Sequence, residues 1–533
     1  MSRGVDSDAE RRQVTRAAGV VGFMTLASRI LGYVRDMVFA YLFGTTMAAD
    51  AFIAAFRIPN LLRRLFGEGS LSIAFVPVFT GYLAGGDREE AMRFARSTFH
   101  LLALVLLVVA CLGIAASPWI VRFMAYGFTS DPVKFALAVK LTRIMLPYIC
   151  FIGLVALSMG ILNALGHFAA PAAAPVMLNL AMIASAVVFA WASDSVQVRI
   201  TGLAIGVLAG GVAQLGLQLP FLIKHRVGLG RPAPLFHPGL RKIAVLMGPA
   251  VFGAAVYQIN IVVNTQLASL LAEGSVAYLY YADRIVQFPL GIFAIATATA
   301  VLPSLSQQAS RNDMEAMKDT FGHGLRLVFF AILPSLVGLL ILREAIVAVL
   351  FRHGVFDLES TRKTAEALFY YAIGLWAFSA VRILLNFFYA LQDTRTPVKA
   401  ASISIVANIV LGLTLMGPMG HGGLALATSL ASMVNLALLV IWLRRKLGPL
   451  GGSGLVRDVS KSAACAVVMG AVVMALAAAW PPLEGDGRTG LALRLMGCIM
   501  AGVGVYCGLA YLLKVEELRE MAKTFMRRKG RRR

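Results

Sequence analysis

Apolar stretches of 20 or more residues recur from residue 17 to about residue 513, and this recurrence limits the chain to very few folds. About 20 residues in a helix cross the roughly 30 Å of a bilayer's hydrocarbon. No water satisfies backbone N–H and C=O groups there, so an apolar run that spans must be helical. Only 14% of residues are charged, against about 25% in a soluble domain. That excludes a soluble globular enzyme, a disordered chain, collagen and a small disulfide scaffold. The expectation is an all-α polytopic membrane protein, with 50 glycines to let helices approach closely.

Fourteen spans are read, at about 17–44, 46–82, 94–116, 136–163, 172–192, 200–224, 243–270, 275–307, 325–350, 366–392, 398–417, 422–443, 460–480 and 490–513. The second and eighth are too long for one straight crossing and should bend or break, the second at Pro59 with Gly67 and Gly69 and the eighth near Pro289. An even count puts both termini on one side. With residues near span ends assigned to the adjoining side, 31 of the 49 basic residues fall on the terminal side, 10 on the other and 8 inside spans. By the positive-inside rule both termini are expected in the cytoplasm. Most of the net charge of +22 then serves orientation, with no nucleic-acid partner. The tail Arg527, Arg528, Lys529, Arg531, Arg532 and Arg533 is suited to anionic membrane lipids.

No cleavable signal is read at the start, because the first apolar stretch carries charges in place of a small-residue cleavage site. The five cysteines lie within or at the ends of spans without C-x-x-C spacing, as reduced packing residues do.

A shift of 226 residues superposes Pro77 on Pro303, Asp87 on Asp313, Glu89 on Glu315, Ala164-Leu165 on Ala390-Leu391 and Pro171 on Pro397. The reading is an N-terminal segment 1–16, an N-lobe 17–226, a linker 227–242 and a C-lobe 243–446. Two added helices over 460–513 and a basic tail 514–533 follow. Each lobe holds an even number of spans, so the two share one orientation as a parallel repeat. Transporters with a central cavity that opens alternately to each side are built this way.

Charges inside the spans carry the chemistry. The first two spans hold Arg29, Arg35, Arg57, Arg63 and Arg64 against Asp36, Asp50 and Glu68. Each Arg at mid-bilayer costs roughly 2.5–3.5 kcal/mol even on lenient insertion scales. Snorkelling rescues residues near helix ends, which suits Arg143 and Arg382, but Arg29 and Arg63 sit more than ten residues from either end of their spans. Gly22, Arg29 and Asp36 recur every seven residues on one helical face, and Asp50, Arg57 and Arg64 repeat that spacing. Five cations against three anions leave a surplus suited to an anionic ligand. In the second lobe Asp283-Arg284 falls opposite Arg57-Ile58 at the same shift, either as a local ion pair or as part of a shared cavity. All these cations are Arg, whose planar fork binds phosphate or carboxylate bidentately.

Enzyme signatures are absent: there is no H-E-x-x-H, G-x-x-x-x-G-K-[ST] or G-x-S-x-G. Without an ATP site or a cofactor, the energy would come from the membrane potential, a cation gradient or the substrate's own gradient. Span seven offers Gln258, Asn260 and Asn264 but no acid, which disfavours a sodium site.

The segments Ser28-Arg29-Ile30-Leu31-Gly32-Tyr33-Val34-Arg35-Asp36, Ala49-Asp50-Ala51-Phe52, Pro59 through Gly69, and Ala74-Phe75-Val76-Pro77 resemble the N-terminal signature of the MurJ (MviN) lipid II flippase family, as Ala282-Asp283-Arg284 resembles its motif in span eight. The resemblance implies a multidrug/oligosaccharidyl-lipid/polysaccharide exporter fold in a bacterial inner membrane. Its substrate would be undecaprenyl-diphosphate-linked disaccharide-pentapeptide, with cell-wall synthesis proteins as further partners. It makes Arg29, Arg35, Arg63 and Arg284 central cavity cations, with a basic residue usual at Arg57. Asp36, Asp50 and Glu68 become orienting or gating acids, and the last two helices a groove for the lipid tail. Arg64 and Asp283 join the set by position, as a further cavity cation and a further orienting acid.

Three other readings share some of these features. A flippase for another polyprenyl-diphosphate glycan would recognise phosphate in the same way. A multidrug cation exporter shares the fold but would place acids where this chain has Arg. A nontransporting scaffold for cell-wall enzymes would not need costly intramembrane cations.

Overall fold

The computed structural model of the protein describes residues 3–67, 70–227, 233–448, 452–479 and 487–519. Among them there is no strand, and helices follow one another with short connections. The order is α1 (Arg3–Phe43), α2 (Met47–Gly67), α3 (Ser70–Ala84), α4 (Arg88–Ala115), α5 (Ser117–Met124), a 3₁₀ segment (Tyr126–Ser130), α6 (Pro132–Met145), α7 (Tyr148–Ala164), α8 (Ala169–Ala192), α9 (Val196–Lys224) and α10 (Pro238–Ser269). After these come α11 (Ser275–Pro289), a π-helical segment (Leu290–Ile295), α12 (Ala296–Ser310), α13 (Met314–Phe351), α14 (Leu358–Ala390), α15 (Arg395–Leu447), α16 (Gly452–Ala479) and α17 (Arg488–Leu512). Ten helical stretches among the described residues are long and apolar enough to cross a membrane. The chain is therefore a multi-pass membrane protein.

Each expected span is helical over most of its described residues, with additions the sequence did not announce. The long second span divides into α2, which runs through Pro59, and α3. In the eighth, Pro289 is followed by the wider π turn, a usual response to a missing backbone donor. The fourth is broken into α6 and α7 at Leu146-Pro147. Spans eleven and twelve both lie in α15, separated at Gly420, whose φ of 55° and ψ of −134° reverse the chain.

The 226-residue repeat is a repeat of helix signals. Asp87 caps α4 by accepting from the Glu90 N–H at 2.9 Å, and Asp313 caps α13 by accepting from Ala316 at 3.0 Å. Glu89 and Glu315 lie in the respective first turns, where negative charge favours the helix dipole. Asp131 and Asp357 add a second capping pair at the same interval, on α6 and α14. Pro77 and Pro303 are the eighth residues of α3 and α12, while Pro171 and Pro397 are the third residues of α8 and α15.

The chain forms two compact units, Met1–Ala277 with His353–Phe356, and Tyr278–Arg352 with Asp357–Arg533. In the first, Phe75 stacks on both Phe79 and Phe94 within a core completed by Leu157, Ile161 and Leu222. α8 and α9 approach through small residues: a Cβ on Gly202 would lie 2.1 Å from Phe189, and one on Gly206 2.6 Å from Ser185. Such contact gives dispersion energy where lipid supplies no hydrophobic drive. In the second unit, Gly374 lies against Ser429 and Gly470 against Val337. The pair α16–α17 is fixed to α13 by Cys465, Met469 and Val473 packed with Phe330, and by the Tyr506 hydroxyl donating to the Phe330 carbonyl at 2.7 Å. Leu107 and Leu112 of α4 and Trp191 of α8 are more than half exposed, as suits surfaces that face lipid.

Candidate functional site

The first unit gathers most of the expected charges. On α1, Arg29 is exposed, and no hydrogen bond or ion pair is described for it among the described residues. One and a half turns later, Arg35 is held from two directions. Its Nε and Nη2 donate to Asp36 Oδ1 at 3.1 and 2.8 Å, and its Nη1 donates to Asn179 Oδ1 of α8 at 3.2 Å. Asn179 is itself fixed, because its Nδ2 donates to the Ser28 carbonyl at 3.0 Å. Gly32 lies alongside Asn179, where a Cβ would sit 3.8 Å from its Nδ2, an ordinary van der Waals distance. Asp36 is 3% exposed, so the Arg35–Asp36 bridge is a largely desolvated pair rather than a surface contact.

On α2, Arg57 Nη1 donates to the Thr265 hydroxyl of α10, which in turn donates a hydrogen bond to the Ile261 carbonyl at 2.6 Å. Arg63 Nε donates to Asn60 Oδ1 at 2.9 Å, one helical turn back. The Thr265 hydroxyl and the Asn60 amide oxygen are neutral acceptors that orient these two guanidinium groups. Glu68 lies outside the described residues, as does the side chain of Arg64. Residues 520–533 of the basic tail also lie outside them.

Asp50 stands apart from the arginines with which it shares a heptad spacing. At 1% exposure it accepts from Lys134 Nζ at 2.7 Å and from the backbone N–H groups of Gly274 and Ala277, each at 2.9 Å. It therefore caps the start of α11 while pairing with the first turn of α6.

In the second unit, Arg284 Nη2 donates to the Tyr280 hydroxyl at 3.3 Å, and its guanidinium lies over that ring at 5.0 Å from the centroid. Asp283, its neighbour, accepts from Gln287. Arg382 is exposed on α14 eight residues from the helix end, with its Cα–Cβ bond leaning towards the far, N-terminal end.

Sequence reading missed the partners of the expected charges: Asn179, Thr265, Asn60 and Tyr280 on the arginines, and Lys134 on Asp50. Asn179 carried a signal, as the one amide in the apolar run 172–192. Lys134 carried none, because just before its span it counts as an ordinary basic residue of a connection.

Oriented guanidinium groups such as those of Arg35, Arg57 and Arg63 in the first unit can bind a polyanion and replace its hydration with charge-assisted hydrogen bonds. Comparison with known proteins agrees. The family profile described as "Lipid II flippase MurJ" matches residues 39–483. A relative from Vibrio cholerae named "Probable lipid II flippase MurJ" is 39% identical over 523 residues, covering 95% of this chain and 97% of its own. One from Burkholderia cenocepacia named "Lipid II flippase MurJ" is 36% identical, covering 93% and 97%. Among solved structures, "Lipid II flippase MurJ, inward closed conformation" superposes with a TM-score of 0.78 at 27% identity, over 92% of this chain and 98% of that one. An inward-facing multidrug resistance MATE family transporter of the MOP superfamily gives 0.68 at 15% identity, over 80% and 96%, and so shares the fold. With a profile match over most of its length and relatives above one-third identity, the chain belongs to the lipid II flippase MurJ family.

Proposed function

We propose that this protein is a lipid II flippase of the bacterial inner membrane, a transporter and not an enzyme. It carries undecaprenyl-diphosphate-linked disaccharide-pentapeptide from the cytoplasmic to the periplasmic leaflet by alternating access, with both termini in the cytoplasm. Arg29, Arg35, Arg57, Arg63, Arg64 and Arg284 receive the diphosphate and the peptide carboxylates, while the polyprenyl tail stays in lipid. The observation that carries this reading is the way Arg35, Arg57 and Arg63 are held by Asn179, Thr265 and Asn60 on membrane helices. Guanidinium groups aimed in that setting suit an anionic cargo and would repel a cationic drug. Release requires a competitor for the same groups, and Asp36, already on Arg35, can supply it by taking more of that guanidinium in the opposite conformation. Movement is driven by the membrane potential or a cation gradient.

Depletion and rescue test the reading. Cells that lose their own lipid II flippase should regrow with this protein and show lipid II on the outer leaflet. Arg29→Ala and Arg63→Ala should each cut outer-leaflet lipid II by about 10- to 100-fold at normal expression, since a hydrogen bond to a charged group contributes about 1.5–3 kcal/mol. Wild-type failure to rescue, or full rescue by both variants, would overturn it.

A further inference from the structure

Several connections of the first unit meet at one end of it. Gly44–Thr46 joins α1 to α2, the Tyr126–Ser130 segment and Asp131 lead into α6, and Leu270–Gly274 joins α10 to α11. By the count of spans, all lie on the side opposite the termini. The Gly127 N–H donates to Ser269 Oγ at 3.0 Å, the Tyr126 N–H donates to Gln266 Oε1 at 2.9 Å, and the Met47 N–H donates to Glu273 Oε1 at 2.5 Å. The segment His353–Phe356 joins them, with the Val355 N–H donating to the Tyr41 carbonyl at 3.0 Å. Gly127 is required here, because a Cβ would stand 2.0 Å from the Ser269 carbonyl oxygen.

Asp50 is the hub of this cluster, and among the described residues the Lys134 ammonium pairs with it. Lys134 is itself 8% exposed and sits 4.4 Å above the Phe128 ring, so it is pinned between an aromatic face and a carboxylate. Its own N–H is taken by the capping Asp131, which fixes the first turn of α6 beneath it. Asp131 is committed to this cap and Glu273 to the Met47 amide. A buried carboxylate that holds two backbone amides but lacks a counter-charge would be strongly disfavoured. Lys134 removes that penalty.

We propose that Lys134 sets the strength of the clasp that Asp50 makes on the α10–α11 turn, and that release of this clasp is the step by which this end of the protein opens. Lys134 is a positioning residue: it acts through Asp50 and touches no substrate. The inference rests on the transport reading only in requiring that this end open.

Hydrogen exchange of the full chain in lipid nanodiscs, followed over residues 270–280, tests it directly, because the Gly274 and Ala277 amides are the ones Asp50 holds. Lys134→Gln is expected to speed their exchange about tenfold or more while α8 and α9 stay unchanged. Lys134→Arg, which restores the charge, should return it to within about twofold of wild type. The double variant Asp50→Asn with Lys134→Gln makes a neutral pair that still accepts an amide, and it should exchange more slowly than Lys134→Gln alone. It also serves where the single variant does not fold, by comparison with wild type: exchange within about tenfold of wild type is then expected. The proposal is overturned if Lys134→Gln exchanges like wild type, if Lys134→Arg behaves like Lys134→Gln, or if the double variant exchanges as fast as Lys134→Gln, or, where that single variant does not fold, more than tenfold faster than wild type. Lipid II exposure is measured separately, so a failure of the flippase reading leaves this result standing.

Discussion

Arg29 and Arg35 lie on the same helix and have the same chemistry, but their surroundings differ. Arg29 is exposed, while Arg35 is fixed by one carboxylate and one amide. The amide matters because it orients the fork and leaves the positive charge in place. Asn179→Ala should therefore reduce outer-leaflet lipid II only several-fold, by loosening Arg35. Asn179→Asp should reduce it further, since a second carboxylate beside Arg35 competes with the cargo. Flipping by Asn179→Asp equal to or above that of Asn179→Ala, at matched expression, would rule out the positioning role. The arginines were legible from sequence because charge inside an apolar run is costly whatever it touches. Their holders were less so, since an amide or hydroxyl in the sequence does not reveal its partner and only the packing of α8 on α1 and of α10 on α2 brings Asn179 and Thr265 within reach.

At the level of helices, capping and spacing explain most of what sequence could show. Asp87 and Asp313 stand in register because each begins a helix by accepting an amide, a local act that needs no tertiary partner. The same is true of Pro289, whose missing donor opens the π turn after it. Helix pairing has a weaker signature, for a glycine in a membrane helix reads alike whether it faces a neighbour or lipid. Gly206 and Gly216 of α9 illustrate this. A Cβ on Gly206 meets Ser185 at 2.6 Å, while one on Gly216 meets nothing within 4 Å. Gly206→Val should cost about 1–3 kcal/mol through overpacking and lower the melting temperature in detergent. Gly216→Ala should leave it unchanged or slightly higher. Equal effects at the two positions would show that α8 and α9 do not pack as described.

Across the whole molecule, the distribution of basic residues gives a test of orientation independent of substrate. A single cysteine placed after residue 519 of a cysteine-free chain should react with an impermeant thiol reagent only after cells are permeabilised. One replacing Ser195, in the connection between α8 and α9, should react in intact cells. The reverse pattern would invert the topology and with it the direction of transport. The sequence by itself determined that the chain is helical, crosses a membrane many times, repeats its helix signals every 226 residues and keeps arginines where lipid would reject them. Each of these follows from local chemistry: the hydrocarbon's demand for satisfied backbone groups, the capping of helix starts and the cost of a buried charge. Only the tertiary structure decided which partners those charges take. Asp50 shares a heptad spacing with Arg57 and Arg64, yet it binds Lys134 from α6 and two amides some 220 residues along the chain. Such pairing depends on which connections come to lie together, and no spacing along a single helix contains that information.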